Sequence, residues 1–528
     1  MIRKLTKNGT FGIALLLCIS MILSICLTGC KREYVDADTI RIMLMGDKPK
    51  DFEEISKELN LRVQRDLGFK VQIDWVSSGD YKQKINLKII SGEEYDLMFD
   101  APWCRLKNFA SEGFYTDLAP YLNNDKYPGI KSNFSAPYME NNKYYGANYY
   151  FPLETEYGSG INGVAYRRDL SDKYGIGKID SLEKYIKFCD AILENEEHMI
   201  PLVVKQHRGF FHFLKTDQVA LAEANIDSIT AGCVLYILLN EDKTKVKEIV
   251  PEGMGDDAFA NFPEGFNYDF GMDRYKMYLE FNKYLDKDSI ACLDDESIFQ
   301  NGQAASIIAT TGSWYGQQVK TAENVPGAVV DLFLDNPRQA NMEPGSIATS
   351  YLGNNCICIP EVSEKKEMAV QFIDWIFTSQ ENNDLLTLGI EGKHWKEVSD
   401  NTYEVLDTEY NFPGYTLTWN PNFVKFESSL PENILEYREY GLKEESYVPT
   451  ALSGFVMDQV PITTELAKIN AVNSSITTVM AHGILPDGYD SVVELKKEKV
   501  EECYTKGLQV VIDEVERQVN AFLAQKNQ

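Results

Sequence analysis

An α/β fold of two or more lobes, built on a mainly parallel sheet flanked by helices, is what this sequence predicts. Three observations predict it. Residues 39–99 alternate strand-like with helix-like segments, a pattern that builds parallel sheets covered on both faces. The chain has 528 residues, more than one hydrophobic core usually organises. Its composition, 44% hydrophobic and 25% charged, is that of a folded chain and not a disordered one.

The elements follow in order. Thr39–Met45 (TIRIMLM) reads as a first strand. Residues 50–67 place Phe52, Ile55, Leu59 and Val63 at helical spacing. Val71–Val76 alternates like a strand, Asp80–Ile90 reads as a helix, and Tyr95–Phe99 as another short strand. Ligands of such sheets sit beyond the carboxyl ends of the strands, so the loops after Val76 and Phe99 are expected binding edges. Residues 180–300 are helix-rich: Ser181 opens a helix to Asn195, and Met272–Leu285 is similar. Ala304–Ala309 is a buried strand leading into an expected loop, Thr310–Tyr315. Lys365–Thr378 is an amphipathic helix, and Glu494–Gln525 closes the chain with helical patterning.

The amino terminus speaks for export. Arg3, Lys4 and Lys7, with no acid, precede an apolar run from Phe11 to Leu27, the layout of a secretory signal. The run ends Leu27-Thr28-Gly29-Cys30, which resembles the bacterial lipobox; that resemblance implies cleavage before Cys30 and a diacylglycerol on its thiol. A plain membrane anchor is the alternative, since the run is nearly long enough to span a bilayer. Residues 1–29 would be the signal and 30–38 a tether. Of ten cysteines, two leave with the signal and Cys30 is the lipid site, so seven scattered ones remain. That is no disulfide framework; Cys356 and Cys358 in the strand-like NNCICIP read as buried thiols. The net charge of −28 argues against nucleic acid as a partner.

The segments also resemble, in order, the extracellular solute-binding proteins of ATP-driven importers, the family that includes maltodextrin-binding protein. SSGDYKQKINLKIISGEEYDLMFDAPW, FASEGFYTDLAPYL, NNKYYGANYYFPLETEYGSGINGVAYRRDLSDKYGI, NGQAASIIATTGSW and NNCICIPEVSEKKEMAVQFIDWIFTSQEN carry the likeness. GIEGKHW, GFVMDQVPITTELAKINAV and the closing DEVERQVNAFLAQ resemble a subgroup, common in Gram-positive bacteria, with an added carboxy-terminal region. The resemblance implies a two-lobed α/β fold, each lobe a mainly parallel sheet flanked by helices, with a ligand cleft between the lobes; the first lobe is 39–155 plus 302–358. It implies a second lobe of 156–301 plus 359–528. It implies a monomer, anchored to the outer face of the cell membrane, that captures a sugar and delivers it to permease subunits, with no cofactor and no metal. The loop Asp100-Ala101-Pro102-Trp103-Cys104-Arg105 does not match the maltodextrin binder residue for residue, so the sugar's identity does not carry over.

Sugar receptors need aromatic faces for pyranose C–H faces, with carboxylates, amides and Arg at the rim for hydroxyls. Trp314, in TTGSW after the buried strand, is expected to face the cleft. Trp103 with Asp100 and Arg105 forms a second cluster. Tyr149, Tyr150 and Glu154, with Glu156 beside it, precede the first crossing. Trp75, Ser78 and Asp80 end an early strand, Tyr415 and Trp419 lie in GYTLTWNP, and His207, Phe210, Phe211 and His212 lie in the helical middle. An enzyme has less support. HExxH, Walker A and a strand-linked GxGxxG are absent, and EYGSG at 156–160 lacks the first Gly of GxSxG. A glycan-active enzyme needs only two carboxylates, which leaves that alternative open, as is the same architecture binding peptide or another solute.

Overall fold

Sheet pairing and core packing divide the chain into two bodies. The computed structural model describes residues 37–157, 161–204, 209–214, 217–266, 268–286 and 295–526; Cys30 and the amino-terminal run lie outside them. The first body is a five-stranded sheet ordered Lys70–Val76, Thr39–Met45, Leu97–Asp100, Cys356–Cys358, Phe151–Pro152. Thr39–Met45 runs parallel to both its neighbours, and Cys356–Cys358 returns antiparallel between Leu97–Asp100 and Phe151–Pro152. Cys356, Ile357 and Cys358 are all buried, because a central strand covered on both faces has no solvent side.

Helix Phe52–Leu67 forms as its spacing predicts and buries Phe52, Ile55, Leu59 and Val63. Each such side chain contributes about 1.5–3 kcal/mol of transfer free energy. Gly68, at φ 83°, ends it by turning its N–H back to Val63 and Gln64, a left-handed closure that glycine adopts without strain. The second body holds an antiparallel sheet ordered Val330–Phe333, Asn162–Arg167, Ser306–Thr310. This departs from the parallel reading; parallel pairing there is confined, among the described residues, to bridges at Ile200–Ala304 and Val203–Ile307 and to the short pair Ile347–Thr349 with Tyr447–Pro449. A meander of Ile226–Ala231, Cys233–Leu239 and Val246–Pro251 adds a layer. Helices Thr463–Ala481, Val492–Thr505 and Leu508–Lys526 cover that layer, sharing a core of Leu235, Ile237, Ile469, Val511 and Val519.

The expected lobe boundaries need correction. Ser306–Thr310 and Val330–Phe333, placed with the first lobe, pair with Asn162–Arg167 of the second. Lys366–Ile376 and Gln380–Thr387, placed with the second, pack into the first core through Ala369, Phe372, Ile373 and Leu386. Hydrophobic periodicity shows that a segment is buried; which core buries it depends on pairings between residues more than a hundred positions apart. The loop expected over Thr310–Tyr315 is also a helix, Thr311–Asn324, opened by a capping box between Thr310 and Ser313. Among the described residues no helix is long and apolar enough to cross a membrane.

Candidate functional site

Between the two bodies lies a cavity of about 610 Å³. The crossings contribute Glu154, Glu156, Asn354 and Asn355; the first body adds Asn383, Trp419 and Asn420; the second adds Thr310, Ser313 and Arg438. Glu154 Oε1 accepts the backbone N–H groups of Asn354 and, at 3.1 Å, Asn355. Two crossing segments are thereby pinned to one carboxylate at the cavity floor. Burial pushes the Glu154 carboxyl up to about 8; its two backbone donors pull it down and the neighbouring Glu156 charge adds to the rise. Glu156 is buried and also raised by burial, against the pull of Arg438, whose Nη1 stands 3.7 Å from it. Both residues lie close against glycines. A Cβ on Gly441 would lie 2.9 Å from the Glu156 carboxyl carbon, and one on Gly312 would lie 2.9 Å from Arg438 Nη1. On the far wall Lys425 spans Asp384 at 3.3 Å and Glu397 at 2.8 Å with its ammonium 5.0 Å over the Trp395 ring.

An aromatic row lines the first body's side. Trp103 leans on Phe99 at 5.9 Å, Phe99 meets Tyr415 edge-on at 5.7 Å, and Tyr415 meets Trp419 at 5.9 Å. Trp103 is 45% exposed, and its indole N–H donates to the Asn354 carbonyl at 2.8 Å. The Lys82 ammonium lies 5.7 Å over its ring; a half-exposed aromatic held at its polar edge offers surface for stacking. Trp419 lines the cavity at the other end of the row.

Of the residues singled out from the sequence, Glu154, Glu156 and Trp419 line this cavity, with Tyr415 against Trp419 and Trp103 bonded to the carbonyl of Asn354. Others do not. Trp314 is 2% exposed: it faces inward with Thr311, Gln317 and Thr321 on one stripe of its helix, donates to the Val330 carbonyl, and packs on Tyr437. Asp100 is fully buried and serves the loop itself. Its Oδ1 accepts from the N–H groups of Ala101 at 2.7 Å and Arg105 at 2.9 Å, and its Oδ2 from the Tyr115 hydroxyl at 2.6 Å. Burial lifts it to about 6 in spite of those donors. Arg105 precedes the short helix Leu106–Ser111 and does not line the cavity. Tyr150 is buried with its hydroxyl on Asn142 at 3.0 Å, and Tyr149 packs against the first core. Asp80 sits exposed in the first turn of helix Ser78–Ser91, 3.6 Å from Lys84, and Trp75 is wedged between Phe52 and Phe412. Phe210 is core, and His207 lies outside the described residues. Sequence reasoning missed Arg438, Asn383 and the Asn354–Asn355 pair. Only the last left a trace, two amides directly before an apolar strand.

Asp51, His394 and Asp407 bring three potential metal-ligating atoms within 4.8 Å of one another. Lys393 stands 2.9 Å from Asp51 and Lys50 3.5 Å from Asp407, so the acids already have cations. The Ile390 N–H donates to His394 Nδ1, which leaves the ring proton on Nε2, pointed at Asp51. The group is an ion-pair cluster.

Residues 63–383, more than half of the chain, match the family model of bacterial extracellular solute-binding proteins. The chain belongs to that family. Residues 451–524 match a domain of unknown function, so the carboxy-terminal unit recurs in other proteins. A carbohydrate ABC transporter substrate-binding protein of Streptococcus pneumoniae serotype 4 is 24% identical, over 98% of this chain and 99% of its own length. The N-glycan transport solute-binding protein of Streptococcus pneumoniae has the same fold, with a TM-score of 0.70 at 20% identity over 92% of this chain and 99% of its own. That protein has also been solved with Man1GlcNAc and with Man5GlcNAc, at TM-scores of 0.62 and 0.60. An HMO-binding solute-binding protein of Bifidobacterium longum infantis matches at 0.59, with 14% identity over 92% of this chain and 100% of its own.

Proposed function

We propose that this chain is the substrate-binding subunit of an ABC importer. In this reading it captures an oligosaccharide outside the membrane and hands it, chemically unaltered, to permease subunits. The observation that carries this is the cavity between the bodies, where the half-buried aromatics Trp419, Tyr403 and Phe423 share a lining with carboxylates, amides and Arg438. Stacking faces take pyranose C–H surfaces, and the polar rim takes hydroxyl pairs. A ligand that touches both bodies binds the closed arrangement better, and the closed form is then populated by that difference in affinity. The names of the relatives support a carbohydrate cargo. Export and a lipid on Cys30, with 30–38 as tether, would hold the receptor near its permease and raise its effective concentration.

Thermal unfolding of residues 31–528 against mono- and oligosaccharides and peptides tests this. Ligand at a hundred times Kd should stabilise by about 2.7 kcal/mol. A shift with peptides alone discards the sugar, and a chain that no solute stabilises is not a receptor of this kind.

Glu154 makes affinity depend on pH. Its carboxyl is raised to about 8, so near neutrality it is largely protonated, and the ionised form grows as pH passes 8. A hydroxyl bonded to a carboxylate is held about twice as strongly as one bonded to a neutral group. Sugar affinity should therefore rise between pH 7 and 9, by up to about tenfold if one such bond is gained. Titration calorimetry of Glu154→Gln should show the rise gone; a variant that keeps it assigns the pH dependence elsewhere.

A further inference from the structure

A second cavity, of about 500 Å³, lies between the same two bodies and meets the first at Asn354, which lines both. Its walls come from three parts of the chain that share no sequence neighbourhood. Pro102 and Lys107, on either side of the Trp103 loop, come from the first body. Ser228 and Thr230, from the strand Ile226–Ala231, come from the second. Phe455 and Gln459 come from the unit matched only by the domain of unknown function. That unit is fixed in place there. The Leu452 N–H donates to Asp227 at 2.7 Å, the Ser453 hydroxyl donates to Asn141 of the first body and to the Ser350 carbonyl, and Phe455 packs edge-on against Phe522 at 5.6 Å.

We infer that this cavity is a second carbohydrate subsite and that the carboxy-terminal unit exists, in part, to wall it. The inference rests on the glycan-receptor reading and extends it. The lining mixes the two chemistries of a sugar pocket: hydroxyls of Ser228 and Thr230, amides of Gln459 and Asn354 and the Lys107 ammonium for hydroxyl groups, and apolar surface from Phe455 and its neighbours for C–H faces. No cluster of basic side chains suited to a phosphate is among them. Trp103 adjoins the junction, its N–H on the Asn354 carbonyl, and is 45% exposed. A glycan ring on Trp103 lies beside the residue that both cavities share. The ligand class that fills both is an oligosaccharide of several rings, extended or branched across Trp103; a disaccharide fills only one.

The test uses the mature chain and titration calorimetry with Man1GlcNAc and Man5GlcNAc. The wild type should bind the larger glycan at least tenfold more tightly. Thr230→Trp, which fills the second cavity from an exposed strand position, should abolish that preference and leave the affinity for Man1GlcNAc within twofold. Gln459→Ala, a milder change on the opposite wall, should narrow the preference in the same direction, and unchanged melting temperatures should accompany both. A wild type that prefers Man5GlcNAc, with variants that keep the full preference, overturns the second subsite and spares the receptor. Equal affinity of the wild type for the two glycans overturns it as well. A wild type that binds neither overturns the N-glycan-type cargo and the subsite together.

Discussion

Glu252→Ala should destabilise the protein by about 3–5 kcal/mol, the usual consequence of removing one partner from a buried ion pair, and should loosen the carboxy-terminal helices first. Glu252 is 1% exposed. One of its oxygens accepts from Arg274 at 2.5 Å and from the Tyr236 hydroxyl at 3.2 Å; the other accepts from Lys496 at 2.9 Å and from the Tyr275 hydroxyl at 3.0 Å. Arg274 belongs to helix Tyr268–Phe281 of the second body, and Lys496 to helix Val492–Thr505 of the carboxy-terminal unit. The carboxylate therefore joins the two, and its loss leaves two cations facing each other in a low dielectric. Burial pushes its pKa up, but Lys496 and Arg274 outweigh burial and hold it below the ordinary value. A depressed folded-state pKa means that this stability is present above the pKa of the unfolded chain and fades as pH falls through the folded one. Urea unfolding from neutral pH down to the acid range should show wild type and Glu252→Ala converging at low pH. Hydrogen exchange should show residues 492–526 losing protection before the first body does. Equal urea midpoints at neutral pH would show that Glu252 does not hold the unit.

Local structure was largely legible and long-range structure was not. The helix over Phe52–Leu67 follows from four apolar positions, and the strand at Cys356–Cys358 from alternation; both are decided by neighbours a few residues away. The exchange of Ser306–Thr310 and Lys366–Thr387 between bodies is decided by pairing and packing that periodicity does not encode. The site shows the same division. Trp103 and Trp419 announce themselves as aromatics in turn-rich segments. Arg438, on the helix Glu432–Leu442, reaches the cavity beside Gly312, a neighbour more than a hundred positions away whose missing side chain leaves space there. Asp100 has the residue type of a rim carboxylate, yet three donors of its own loop already occupy it.

The tryptophans separate these two kinds of evidence in one experiment. From sequence, Trp314 has the stronger claim to the ligand, since it follows a buried strand where the family's chain returns between lobes. In the structure it is part of a helix whose capping box turns it inward, with Ala165, Ile307 and Val330 in the same cluster. Trp103 is partly exposed and is held by its Asn354 bond. Trp103→Ala should therefore weaken glycan binding by about 2 kcal/mol, roughly thirtyfold, as expected for an aromatic anchor, with little change in stability. Trp419→Ala should act in the same direction. Trp314→Ala should instead cost about 3–5 kcal/mol of folding stability through the void it leaves, while the folded fraction binds as the wild type does. Calorimetric affinity and urea unfolding of the three variants read the two quantities independently. A loss of affinity confined to Trp314→Ala would restore the sequence assignment, and would mean that the bound protein turns this helix to present the indole to the cleft.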